Sequence, residues 1–138
     1  GIKNVIKNTN LIGRWQIVKI QPKVVYDVAH NLDSLELVFN QIKNTKGKIR
    51  IVFGTLDKTD QLDCLKIFPK KHEYYFCAPK TKRAMSLNKL CKKAKELKIN
   101  FSSYSSVKNA YHTAFMNSKN DDTVLVTGST YLFSEINN

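Results

Sequence analysis

The sequence contains no apolar run near the ~20 residues that a membrane-spanning helix needs. Its first residues, Gly1-Ile2-Lys3-Asn4-Val5-Ile6-Lys7, have neither the apolar stretch nor the cleavage site of a signal peptide. No membrane partner is expected, and the expected compartment is the cytoplasm. Acidic side chains are scarce, 11 against 23 basic ones, which gives a net charge of +12. Arginine is scarcer still, 3 against 20 lysines. Nucleic-acid readers lean on arginine and interleave aromatics with a basic stripe. Here the dense basic runs are Pro69-Lys70-Lys71, Pro79-Lys80-Thr81-Lys82-Arg83 and Lys92-Lys93-Ala94-Lys95. The reading is therefore a solvated, lysine-rich face that attracts anionic ligands, with no nucleic-acid partner.

Cysteine is also sparse. Cys64, Cys77 and Cys91 form no CxxC, and their odd number argues against a disulfide framework. His30, His72 and His112 have no metal-ligand spacing, so no metal site is expected. His72, between Lys71 and Glu73, is expected to be exposed, and His112 to lie at the surface or its boundary. There is no GxxxxGK[ST], no GxGxxG and no GxSxG. These absences exclude a Walker-type phosphate loop, a dinucleotide fingerprint and a nucleophile elbow. The chain alone is not expected to carry out phosphoryl chemistry.

What is present is one domain's worth of core. A length of 138 residues suits a single domain, here 1–138. With 42% apolar and 25% charged residues, wholesale disorder is excluded. Short β-branched or aromatic runs alternate with helical periodicity. The strands predicted are Val24–Val28, Ile49–Phe53, Tyr74–Cys77, Ile99–Phe101 and Thr123–Thr127. Between them, Leu35, Val38, Phe39 and Ile42 line one helical face behind Asp33-Ser34 as caps. Leu62, Leu65 and Phe68 mark a short helix ended by Pro69. Ser86 caps a helix with Leu87, Leu90, Cys91, Ala94 and Leu97 along its stripe. Ser105-Ser106 cap another with Val107, Ala110, Tyr111, Ala114 and Phe115. Trp15–Ile20 and Lys23–Val28, flanking Gln21-Pro22, predict a hairpin that feeds the sheet. The fold class is three-layer α/β, Rossmann-like, with a mainly parallel sheet and an N-terminal β-hairpin.

Ligands of open parallel sheets bind beyond the carboxyl ends of the strands, near a topological switch point. Those exits are Asp27-Val28-Ala29-His30-Asn31, Gly54-Thr55-Leu56-Asp57-Lys58-Thr59-Asp60 and Gly128-Ser129-Thr130. Polar residues gather at all three. An aspartate closing a strand can accept both hydroxyls of a ribose, and Gly-Ser allows a charged ligand to approach closely. Each feature is equally a turn-former.

Gly13-Arg14-Trp15-Gln16, Asp27-Val28-Ala29-His30-Asn31, Val52-Phe53-Gly54, Arg83-Ala84 and Val124-Leu125-Val126-Thr127-Gly128-Ser129-Thr130-Tyr131 follow one another in a telling order. In order and spacing they resemble the C-terminal domain of folylpolyglutamate synthase/dihydrofolate synthase, a branch of the Mur ligase superfamily. The resemblance spans nearly the whole chain. It implies the C-terminal domain of a larger ATP-dependent ligase whose P-loop domain lies outside this sequence and is the partner of this one. Such enzymes phosphorylate a folate carboxylate with ATP and Mg2+, and the amine of L-glutamate then attacks the acyl phosphate. The Mg2+ ligands belong to the other domain, and the enzyme is expected to be a monomer.

Carried over residue by residue, Arg14 and Asp27 match ATP-contacting positions, and His30 matches a histidine near the reacting groups. The resemblance makes Ser129 a candidate glutamate contact. In the second exit the family shows Asp-Lys-Asp where this chain has Asp57-Lys58-Thr59-Asp60. Asp60 keeps its place and Lys58 is displaced by one residue; both are carried as tentative glutamate contacts. Arg83 fits the family's Arg-Ala pair without an assigned role. The alternatives are a stand-alone, non-catalytic nucleotide- or anion-binding module and the C-terminal domain of another Mur-type ligase.

Overall fold

The computed structural model describes residues 15–137. Ten of its elements are helices and strands of ordinary type. In chain order they are β1 (Gln16–Ile20), β2 (Lys23–Asp27), α1 (Leu32–Ile42), β3 (Ile49–Phe53), β4 (Glu73–Phe76), α2 (Leu87–Glu96), β5 (Phe101–Ser103), α3 (Val107–Asn117), β6 (Thr123–Thr127) and α4 (Tyr131–Asn137). A 3-10 helix, Gln61–Ile67, lies between β3 and β4. The strands form one sheet in the order β1-β2-β6-β3-β4-β5. β1 runs antiparallel to β2 as the predicted hairpin, and every other pairing is parallel.

The alternation of side chains along each strand divides the core into two. On one face Val25, Ile51, Phe53, Tyr74, Phe76 and Leu125 meet Leu35, Val38, Phe39 and Ile42 of α1, Leu65 of the 3-10 helix and Leu90 and Ala94 of α2. On the other, Val24, Tyr26, Val52, Tyr75, Val124 and Val126 meet Val107, Ala110 and Ala114 of α3 and Leu132 and Phe133 of α4. All five residues of β3 and of β6 are buried, as strands covered on both faces require. Phe68 packs edge-on to Phe39 and Phe53 and stacks on Tyr74, with centroids 5.0–5.2 Å apart. Burying each such ring is worth roughly 1.5–3 kcal/mol.

β6, the last strand, is inserted between β2 and β3. The chain leaves β2 for α1 on one face and leaves β6 for α4 on the other. The carboxyl ends of β2, β6 and β3 therefore open as a crevice between diverging connections.

Several local expectations need correction. α1 is capped by Asn31, whose side chain accepts from the Ser34 backbone N–H while the Ser34 side chain accepts from that of Asn31. The cap lies two residues before Asp33, because Asn31 and Ser34 satisfy each other reciprocally. The fifth strand begins at Phe101, not Ile99. α4 was not foreseen. His72 is 5% exposed, with its ring in a hollow lined by Phe39, Ile67 and Pro69. Burial, with Lys71 close by, pushes its pKa below the ordinary imidazole value. His112 is at the surface as expected. Arg50, inside an otherwise apolar run, is buried and paired with Asp122 at 2.8 Å.

Candidate functional site

Three exit loops build the crevice: Val28–Asn31 after β2, Gly54–Asp60 after β3 and Gly128–Thr130 after β6. Gly128 has φ +114°, and a Cβ there would stand 2.2 Å from the Gly54 carbonyl oxygen. A Cβ on Gly54 would in turn stand 2.6 Å from the Cys77 carbonyl oxygen. Glycine at both exits lets the backbones of β3, β4 and β6 turn out of the sheet in contact. Hydrogen bonds then bind the loops together. The Gly128 N–H and the Thr127 hydroxyl both donate to the Ala29 carbonyl, at 2.9 and 3.0 Å. The buried Gln61 amide donates to the His30 carbonyl and, at 2.8 Å, to the Thr55 hydroxyl.

Between these loops lies a cleft of about 330 Å³ whose polar lining includes His30, Thr55, Lys58, Gln61 and Ser129. His30 is exposed, and its Nδ1 is 3.1 Å from the Val28 carbonyl. A carbonyl only accepts, so Nδ1 carries the proton and Nε2 of the neutral ring is left as an acceptor. Lys58 is exposed and enters no ion pair among the described residues. Ser129 is buried, and its hydroxyl accepts from the Tyr131 N–H at 3.2 Å. It thus shapes the turn into α4 while facing the cleft.

Asp27 does not line this cleft. It lines an adjoining hollow of about 480 Å³, together with Trp15, His30 and Leu37. Oδ2 of Asp27 accepts from the Trp15 N–H at 2.8 Å and Oδ1 from the Ala29 N–H at 2.9 Å. The carboxylate thus ties the start of the hairpin to the β2 exit. Trp15 is held at φ +46°, a left-handed conformation unusual for a bulky residue. His30 lines both hollows, so it joins the Asp27 side to the Lys58–Ser129 side. Asp60, at φ +64° at the start of the 3-10 helix, makes no side-chain cap bond and is not brought into the cleft. Arg14 lies outside the described residues. Among the described residues no three His, Cys, Asp or Glu side chains converge as a metal site would require.

Sequence reasoning missed Gln61 and Thr55. Thr55 stands in the predicted exit loop but was not singled out, and Gln61 bonds it six residues on and His30 thirty-one residues back, a bridge that no local pattern marks. Arg83 stands on the loop beside the Gly54–Asp60 exit, which its carbonyl joins by accepting from the Asp57 N–H at 2.8 Å.

The family described as "Mur ligase, glutamate ligase domain" matches residues 13–130. The dihydrofolate synthase/folylpolyglutamate synthase of Escherichia coli (strain K12) is 31% identical over 138 residues, covering 98% of this chain and 32% of that protein. The crystal structure of the bifunctional folylpolyglutamate synthase/dihydrofolate synthase from Yersinia pestis CO92 superposes with a TM-score of 0.77 at 28% identity. The match covers 95% of this chain and 31% of that one. E. coli FolC, solved in complex with DHPP and ADP, superposes with a TM-score of 0.73 at 31% identity, covering 90% and 30%. The chain spans about a third of the length of these relatives. With the family match running through all three exit loops, the chain belongs to the Mur ligase family of glutamate ligase domains.

Proposed function

We propose that this chain is the glutamate-side, C-terminal domain of an ATP-dependent amide ligase that adds L-glutamate to a folate or dihydropteroate carboxylate. The observation that carries the reading is the cleft at the switch point, where His30, Lys58 and Ser129 meet on the rim of a family-matched domain. The ATP-binding P-loop and the Mg2+ ligands belong to a partner domain, and the working enzyme acts in the cytoplasm as a monomer. Bound ATP and Mg2+ supply an acyl phosphate at the folate carboxylate.

This domain's own residues then position glutamate. The Lys58 ammonium offers a charge to a glutamate carboxylate, and the Ser129 hydroxyl a short polar contact beside it. Nε2 of His30 can take a proton from the attacking amine, because Nδ1 is held protonated by Val28. Asp27 acts as a positioning residue. By holding the Trp15 and Ala29 N–H groups it fixes the β2 exit on which His30 stands. Arg14 supplies a guanidinium suited to phosphate charge. Asp60 lies off the cleft and meets glutamate only if the loop moves on closure.

The test is steady-state kinetics on the complete ligase, with glutamate incorporation followed as a function of ATP, folate and glutamate. Lys58→Ala and Ser129→Ala should raise the glutamate KM, and Asp27→Ala the ATP KM. Arg14→Ala and His30→Ala should lower kcat. A charge-assisted contact in a closed site is worth roughly 2–4 kcal/mol, or about 30- to 1000-fold. Folded variants that all stay within about twofold of the unaltered enzyme would place the working face elsewhere.

A further inference from the structure

Gln61 lines the cleft, is 7% exposed and joins the two loops that carry Lys58 and His30. Its backbone N–H donates to the Lys58 carbonyl at 3.1 Å, where the 3-10 helix begins. Its side-chain amide reaches the other loop, donating to the His30 carbonyl and to the Thr55 hydroxyl. A backbone carbonyl only accepts, so the amide nitrogen, not the oxygen, faces His30. Both hydrogens of that nitrogen are then engaged, and Oε1 has no partner among the described residues. Nor is Oε1 sealed in. Among the described residues, Arg50 Nε is the one enclosed side-chain nitrogen or oxygen that lacks a hydrogen bond. Oε1 is therefore an acceptor reached from the cleft.

His30 offers a second acceptor that is held just as firmly. Its backbone N–H donates to Ser34 Oγ at 3.1 Å, and its carbonyl accepts from Gln61. Its Nδ1 is engaged by the Val28 carbonyl at 3.1 Å, which leaves Nε2. The cleft thus presents two acceptors on residues bonded to each other. Neither can turn to suit a ligand, so together they select one that brings two donors.

We propose that Gln61 Oε1 accepts one N–H of the incoming amine while His30 Nε2 accepts the other, so that Gln61 orients the nucleophile and selects primary amines. The inference rests on the ligase reading above and adds a substrate contact to it. A neutral primary amine has two N–H bonds and one lone pair. Holding both N–H bonds fixes where the lone pair points, as attack on the acyl phosphate requires. The lone pair forms the C–N bond, the C–O bond to phosphate breaks, and phosphate leaves with that electron pair. One proton passes to His30 Nε2, and the N–H that stays in the new amide is the one on Gln61. A secondary amine has a single N–H to give. Its alkyl group must then face Oε1 and leave that acceptor unpaired, which is unfavourable.

The experiment gives the complete ligase L-glutamate or N-methyl-L-glutamate and compares kcat/KM for the two. The unaltered enzyme should prefer L-glutamate at least about tenfold, the worth of one hydrogen bond in a closed site. Gln61→Leu and Gln61→Met, checked for folding by their melting midpoints, lack Oε1. Both should lose about tenfold on L-glutamate and less on the secondary amine, so that its relative use rises about fivefold. Thr55→Val removes one anchor of the amide but keeps Oε1, so it should leave the ratio within about twofold of the unaltered enzyme. A merely structural role for Gln61 would lower both substrates together. A ratio that rises in neither Gln61 variant, an equal rise from Thr55→Val, or an unaltered enzyme that uses both amines alike overturns the contact and leaves the ligase reading standing. An unaltered enzyme that adds no L-glutamate overturns the ligase reading and the contact with it.

Discussion

Gly128 is the residue on which the crevice depends most directly. Its φ of +114° and the 2.2 Å approach of the Gly54 oxygen to a Cβ leave no room for a side chain. Gly128→Ala should cost about 3 kcal/mol or more through strain and backbone displacement, read as a lowered unfolding midpoint in urea. At the other end of the sheet Asp122 is the comparable residue. Its Oδ1 accepts from the Lys48 N–H at 2.9 Å, and its Oδ2 from the Lys119 N–H at 2.9 Å and from Arg50 at 2.8 Å. Burial works to raise its pKa, but these three donors outweigh it and hold the group below the ordinary carboxylate value. A lowered folded pKa means that the unfolded chain binds the proton first. The stabilisation is complete above the ordinary carboxylate value and is lost as pH falls through the folded one. Asp122→Asn should cost about 1–3 kcal/mol at neutral pH, since buried Arg50 loses its shorter ion pair and keeps only Glu73, at 3.2 Å, as counter-charge. Urea titrations at pH 7 and pH 3 should show a smaller loss on acidification in the variant than in the unaltered chain. An equal loss in both would remove Asp122 from the acid transition. The same two ends show what a sequence reveals of residues. Asp27, His30, Lys58 and Ser129 could be picked out because strand exits are where α/β sites form. The Asp27 bond to the Trp15 N–H, the Gln61 bond to His30 and the Arg50–Asp122 pair could not, because each joins residues 12 to 72 positions apart.

Elements buried on both sides were the most legible. β2, β3, β4 and β6 are short apolar runs bounded by Gly or polar turns, and nothing but a covered parallel strand accommodates them. The stripes of α1, α2 and α3 were equally readable from their 3.6-residue period. Legibility fell where periodicity has too few residues to register. α4 has seven residues, of which Leu132 and Phe133 are the buried ones, and β5 is a three-residue edge strand. The start of α1 was misplaced because Asp33 and Ser34 are both good caps on their own. Asn31 wins by pairing with Ser34, whose hydroxyl also accepts from the His30 N–H at 3.1 Å. That cap holds the β2 exit as well as the helix. Asn31→Ala should cost about 1 kcal/mol of stability. If the ligase reading holds, it should also lower kcat by more than a melting shift of that size accounts for, because His30 loses its fixed backbone. A variant that melts lower with kcat intact would confine Asn31 to the helix.

For the whole molecule, the sheet is a self-sufficient body with an open working edge. Each face has its own apolar layer, α1, α2 and the 3-10 helix on one side and α3 and α4 on the other. Among the described residues, both layers are covered by this chain's own helices, so the core is expected to fold by itself. The carboxyl rim is different. On the ligase reading its cleft, lined by His30, Lys58 and Ser129, holds glutamate, yet the sequence has no phosphate loop. Among the described residues it has no cluster to hold a metal either. If the ligase reading holds, acyl phosphate chemistry draws on a partner domain for both, so folding and catalysis should separate cleanly in this protein. Purified 1–138 should unfold in one cooperative transition, coincident by far-ultraviolet circular dichroism and tryptophan fluorescence from Trp15. The same preparation should incorporate no glutamate with ATP and folate. A broad, non-coincident melt would show that the core is completed by contacts from outside the chain. ATP-dependent incorporation by the chain alone would mean that the nucleotide chemistry resides in this domain, and the division of labour between two domains would have to be abandoned.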